Sequence, residues 1–123
     1  MVSNEIEEAN NRYNANDNDL NTRFTMEGKD EWITYDLGKQ QRIDGIGVAV
    51  WKAAERSTSY DIYVSDDNEN WTKVYSGGNE GTADEIELKN ITPVNARYVK
   101  LVGFGSNINA YTNILEFAVL QKK

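Results

Sequence analysis

From Trp32 to Leu120 the chain is built of segments in which apolar and polar residues alternate. This pattern restricts it to strands with one buried and one wet face. Trp32-Ile33-Thr34-Tyr35-Asp36-Leu37 is β-branched and aromatic, and Gly38 stops it. Ile43 to Trp51 carries Ile46, Val48 and Val50 at alternate positions, with Gly45 and Gly47 on the opposite face. Tyr60 to Ser65 alternates as well, Asp66-Asp67-Asn68-Glu69-Asn70 reads as a turn, and Trp71 to Tyr75 is the next strand. Gly77-Gly78-Asn79-Glu80-Gly81 predicts a flexible break. Asp84 to Leu88, Ala96 to Phe104 and Asn113 to Leu120 complete about seven or eight short strands. Trp32 and Trp71 are expected in the core. Ser3 to Asn11 alone has room for a helical turn. The expected architecture is all-β, an antiparallel β-sandwich, as one domain over residues 1–123 excised from a larger protein.

A chain of 123 residues can bury a core without disulfides. It contains no cysteine and no histidine. Thiol catalysis, thiolate metal sites and imidazole general bases are therefore excluded. A formal net charge of −7 argues against broad attraction to nucleic acid or anionic lipid. No apolar run reaches spanning length, so a membrane partner is not expected.

Two oxygen-rich segments lie almost a chain apart. Asn14-Ala15-Asn16-Asp17-Asn18-Asp19-Leu20-Asn21-Thr22-Arg23-Phe24 offers carboxylates, amides and a hydroxyl within one loop, and Ile114-Leu115-Glu116-Phe117 sets one acid in an apolar strand. Hard cations such as calcium take six to eight oxygens, some from backbone carbonyls. The loop imitates an EF-hand at Asp17, Asp19 and Asn21. The match then fails, because Thr22 stands where the turn glycine belongs and Gly28 where the bidentate glutamate belongs. On its own the loop fits either a cation site or Asx-turns that bond their own backbone.

The Asn14–Phe24 loop, Trp32-Ile33-Thr34-Tyr35-Asp36-Leu37-Gly38, Tyr60 to Trp71, Ala96-Arg97-Tyr98-Val99-Lys100-Leu101 and Ile114-Leu115-Glu116-Phe117 occur in this order. Together they resemble the discoidin-like, or coagulation factor type C, domains, and in particular their bacterial branch, the family 32 carbohydrate-binding modules. Asn18 departs from a usual glycine and Phe24 from a usual tryptophan. The resemblance implies a jelly roll with one structural calcium ion. Its ligands would be the Asp17 carboxylate, the Thr22 hydroxyl and carbonyl, the Glu116 carboxylate, and the carbonyls of Asn14, Asp19 and Leu115.

The resemblance also implies a glycan site on loops at one end of the sandwich, similar to modules attached to alginate and other polyuronate lyases. Two stretches qualify, Trp51 to Thr58 and Gly103 to Asn113. Arg56 is the foremost candidate, because a guanidinium forks onto a uronate carboxylate. Lys52 adds charge, Asn107 and Asn109 suit vicinal hydroxyls, and Tyr111 offers a ring face and a phenol. Trp51 fits a platform or the core equally. The competing reading pairs Arg56 with Glu55 or Asp61 on the surface.

The expected function is non-catalytic binding of a polysaccharide or oligosaccharide, tethering a covalently linked catalytic domain to an acidic, uronate-containing glycan such as alginate. The rivals are neutral galactose-type glycans and, further off, a protein or phospholipid partner. The module is expected to be extracellular, secreted from a bacterium, and monomeric.

Overall fold

The computed structural model describes residues 2–3, 24–27, 31–81 and 84–121. These form seven strands: β1 (Val2–Ser3), β2 (Phe24–Glu27), β3 (Glu31–Val50), β4 (Thr58–Ser65), β5 (Thr72–Gly78), β6 (Glu87–Ser106) and β7 (Tyr111–Leu120). Every pairing is antiparallel, and no helix occurs among the described residues. The region expected to hold a helical turn, beyond Ser3, lies outside them.

β3 and β6, each of 20 residues, pair along almost their whole length as a ribbon folded over on itself. The fold falls at two register shifts, between Asp36 and Gln41 and between Ile43 and Gly45. Gly38, at φ 85°, sits in the first of these. Glycine adopts that backbone without the Cβ clash other residues meet. The halves of the ribbon then take different neighbours. Trp32 to Asp36 and their β6 partners are flanked by β1 and β4, with β5 beyond β4. Gly45 to Val50 pair with β7, and β2 lies beyond it. Two leaves result, sharing β3 and β6, as in a sandwich.

The leaves face each other across a core. Ile33, Tyr35, Val99, Leu101, Tyr60, Ile62 and Val64 are buried from the first, and Ile46, Val48, Val50, Ile114, Phe117 and Phe24 from the second. Tyr35 stacks on Phe117 with ring centroids 4.6 Å apart and planes at 26°. Its hydroxyl donates to the Phe117 carbonyl at 2.7 Å. Burial pushes this phenol well above its ordinary value, and the nearby Glu116 charge adds to the shift.

Strands expected to be separate are continuous here. Trp32–Leu37 and Ile43–Val50 belong to β3, with Trp51 just beyond its end, and the segments around Leu88 and Ala96 both belong to β6. Trp32 and Trp71, expected in the core, are only half-buried. Alternation turns Ile33 and Leu101 inward, and so puts Trp32 and Lys100 on the outer face of the first leaf. There the Lys100 ammonium lies 4.0 Å from the Trp71 ring centroid and 6.0 Å from that of Trp32. Burial beneath the rings lowers the Lys100 pKa.

Candidate functional site

One end of the sandwich gathers the exit of β3, the start of β4, the end of β5, the end of β6 and the start of β7. The β3–β4 connection is a tight turn. The amides of Glu55 and Arg56 both donate to the Lys52 carbonyl, at 2.9 and 3.2 Å. Lys52 itself is held at φ 55°, a left-handed backbone that costs a lysine energy. The Lys52 and Ala53 amides donate to the Asp84 carboxylate at 3.1 and 2.8 Å. Four backbone donors of a five-residue turn are thereby satisfied.

The loops on either side close onto this turn. The Ser57 amide donates to Asn107 Oδ1 at 2.8 Å, and the Asn107 amide donates to the Ser57 carbonyl at 3.0 Å. Asn79 Oδ1 accepts the Thr58 amide at 2.7 Å, and its Nδ2 donates to the carbonyls of Arg56 and Gly81, both at 3.3 Å. The Glu80 and Gly81 amides donate to the Glu87 carboxylate at 2.9 and 2.8 Å. Glu87 is also paired with the buried Lys89 at 3.1 Å. Burial works to raise the Glu87 pKa, but the two amides and Lys89 bring it below its ordinary value.

Between these walls lies a pocket of about 250 Å³, lined by Ala53, Ala54, Glu55, Arg56, Ser57, Asn79, Glu80, Gly81 and Asn107. The Arg56 guanidinium lies over the Trp51 ring at 5.1 Å, and the Lys52 ammonium lies at 4.6 Å from the same ring. A half-buried indole thus carries two cations. Arg56 Nε is buried and has no hydrogen-bond acceptor. The pairing of Arg56 with Glu55 or Asp61 is not formed. Glu55 lies 3.6 Å from Lys52, and Asp61 lies 3.3 Å from Lys73. Among the described residues Arg56 has no carboxylate partner. A buried donor without an acceptor is costly, and the guanidinium that carries it keeps its charge without a counter-ion among these residues.

Of the residues singled out in the sequence, Arg56 and Asn107 line this pocket and Trp51 and Lys52 stand against it. Asn107 Oδ1 is occupied, so its Nδ2 is the group it has to offer. Asn109 and Tyr111 do not line the pocket. Asn109 instead builds the loop, its Oδ1 accepting the Tyr111 amide at 3.0 Å and its carbonyl accepting that of Ser106 at 2.9 Å. Sequence reasoning missed Asn79, Glu87 and Asp84. The Gly77–Gly81 stretch read as a flexible break is strand as far as Gly78 and then a pinned wall.

The second oxygen-rich segment maps onto β7. Glu116 is buried opposite Ala49, and a register shift between Ala49 and Val50 leaves Leu115 as an extra residue. This bulge lets Ile114 and Phe117 both face the core and takes Leu115 out of the ladder. Asn14, Asp17, Asp19 and Thr22 lie outside the described residues. Phe24, which closes that loop, pairs with Ile114 beside the bulge.

The F5/8 type C domain family matches residues 2–117. The chain belongs to this family. Among solved structures, this F5/8 type C domain is 28% identical to a truncated AlyQ with CBM32 and alginate lyase domains (TM-score 0.91), covering 98% of this chain and 31% of that one. It is 27% identical to the CBM32 of AlyQ in complex with 4,5-unsaturated mannuronic acid (TM-score 0.86), over 99% and 100% of the two chains. It is 32% identical to a pectin binding carbohydrate binding module (TM-score 0.82), over 89% and 79%. The family and the β-sandwich expected from the sequence are those found. The chain spans less than a third of the AlyQ polypeptide. No curated protein matches it.

Proposed function

We propose that this F5/8 type C domain is a non-catalytic carbohydrate-binding module whose end pocket takes a uronate residue of an acidic glycan. The Arg56 guanidinium, stacked on Trp51 and without a carboxylate of its own, carries the reading. A uronate carboxylate supplies the guanidinium with the carboxylate partner it lacks, Lys52 adds a local charge, and Asn107 Nδ2 reaches a ring hydroxyl. A net charge of −7 does not oppose this, because bulk repulsion is screened beyond about 10 Å while a contact pair acts locally. The AlyQ module bound to an unsaturated mannuronic acid and the pectin-binding module support a uronate ligand. The truncated AlyQ, in which such a module accompanies a lyase domain, supports a role as tether within a larger protein. The likeness to carbohydrate-binding modules supports binding without turnover.

Calorimetry with uronate, neutral and amino-sugar disaccharides tests this. Uronates bind in the micromolar-to-millimolar range, as a small pocket predicts, and Arg56→Ala weakens them at least about tenfold. Equal binding of neutral sugars with no effect of the substitution refutes the uronate assignment. Preference for amino sugars would instead assign the pocket to its rim acids, Glu55 and Glu80.

We further propose a structural calcium ion at the β7 bulge. The fit rests on a buried carboxylate, Glu116, beside Leu115, the extra residue of the bulge, and on the pairing that brings Phe24 to the same place. Asn14, Asp17, Asp19 and Thr22 would complete the oxygen shell. The ion would supply charge neutralisation and cross-linking, with no part in ligand chemistry.

A further inference from the structure

We infer that Asp84 is a positioning residue for the pocket, aiming Arg56 by clamping the turn that carries it. This rests on the uronate reading above. Asp84 does not line the pocket. Its two carboxylate oxygens take the consecutive amides of Lys52 and Ala53, from 32 and 31 residues away. Consecutive amides converging on one anion form a nest that a carboxylate fills with both oxygens. The clamped residue is Lys52, whose φ of 55° persists only where its surroundings enforce it.

What the clamp controls follows from how little else holds the Arg56 side chain. That side chain makes no hydrogen bond or ion pair among the described residues. Its direction is set by its own backbone and by the Trp51 ring beneath it. The backbone is tied by its amide to the Lys52 carbonyl and by its carbonyl to Asn79. Trp51 and Lys52 stand at the start of the same turn. If the turn relaxes, the indole and the guanidinium separate and the binding geometry is lost, although the sandwich beneath is untouched.

Asp84→Asn is the sharpest probe, because asparagine keeps the shape but replaces one of the two acceptors with an amino group facing an amide hydrogen. By calorimetry with a uronate disaccharide, this variant binds about tenfold more weakly than the unsubstituted protein, roughly one charge-assisted contact. In an Arg56→Lys background the same change costs less than about twofold, because residues acting through one another are not additive. Asp67→Asn is the control. Asp67 also holds two backbone amides, those of Glu69 and Asn70, both on its Oδ1 at 2.9 and 2.8 Å, in the turn at the other end of β4. It lowers the melting temperature and leaves uronate affinity unchanged. Unchanged affinity in Asp84→Asn, or additive effects with Arg56→Lys, overturns the proposal. So does melting below assay temperature in both Asp84→Asn and Asp84→Ser, which would make Asp84 a residue of the fold. If the unsubstituted protein ignores uronates in the same titration, the functional reading fails instead.

Discussion

Arg97 and Asp36 show how much one pair depends on geometry. The guanidinium forks onto the carboxylate at 2.8 and 2.9 Å, and the Gly38 amide adds a third donor at 2.8 Å. The Arg97 hydrogen bond, then that of Gly38, brings the Asp36 pKa down to about 2. A depressed carboxylate binds its proton later in the folded state than in the unfolded one, so its contribution is complete above pH 3.8 and is lost as the pH falls toward about 2. Acid titration of stability, comparing Asp36→Asn with the unsubstituted protein, should show the difference shrinking through that window. The two curves should run parallel above it. Arg56 is the contrasting case. Its type and loop were legible in the sequence, whereas its lack of a partner was not, because that depends on Lys52 taking Glu55 and Lys73 taking Asp61. Asn79 and Asp84 were illegible for a related reason. They act on main-chain groups 21 to 32 residues away, and no local pattern encodes such bonds.

At the scale of elements, alternation identified most of the strand segments but not where one strand passes into another. Gly38 looked like an end, yet it lies inside a 20-residue strand, at a place where the β3–β6 ribbon bends. A bend and a stop use the same residues, and only the pairing partner separates them. β1 and β2 are too short to carry a period of their own. Gly78, read as part of a flexible break, closes β5 against β4. A Cβ there would stand 2.1 Å from the Thr58 carbonyl oxygen, a backbone atom with nowhere to go. Gly78→Ala should therefore destabilise by about 1–3 kcal/mol, read from the urea midpoint at unchanged slope. Because Asn79 follows it directly, uronate affinity should fall too.

For the molecule as a whole, the proposed calcium ion would join the β7 bulge to the stretch before Phe24, fastening one edge of the second leaf. A ligand that binds only the folded chain raises its stability by mass action. Excess chelator should lower the melting temperature by several degrees, about 2–8 °C for each kcal/mol. Glu116→Gln should abolish that response. An unchanged melting point with chelator would remove the cation from the account.

The ribbon of β3 and β6 has one more outcome. Because the same two backbones belong to both layers, neither layer can be peeled away while the other survives. Native-state deuterium uptake at Ile33 and Leu101 on one side and at Ile46 and Val48 on the other should then report a single opening free energy. Only the outlying strands, such as β5, should exchange through smaller, separate fluctuations. The binding rim is thus mounted on a base that opens only as a whole, and any smaller loss of its shape has to begin in the rim's own turns.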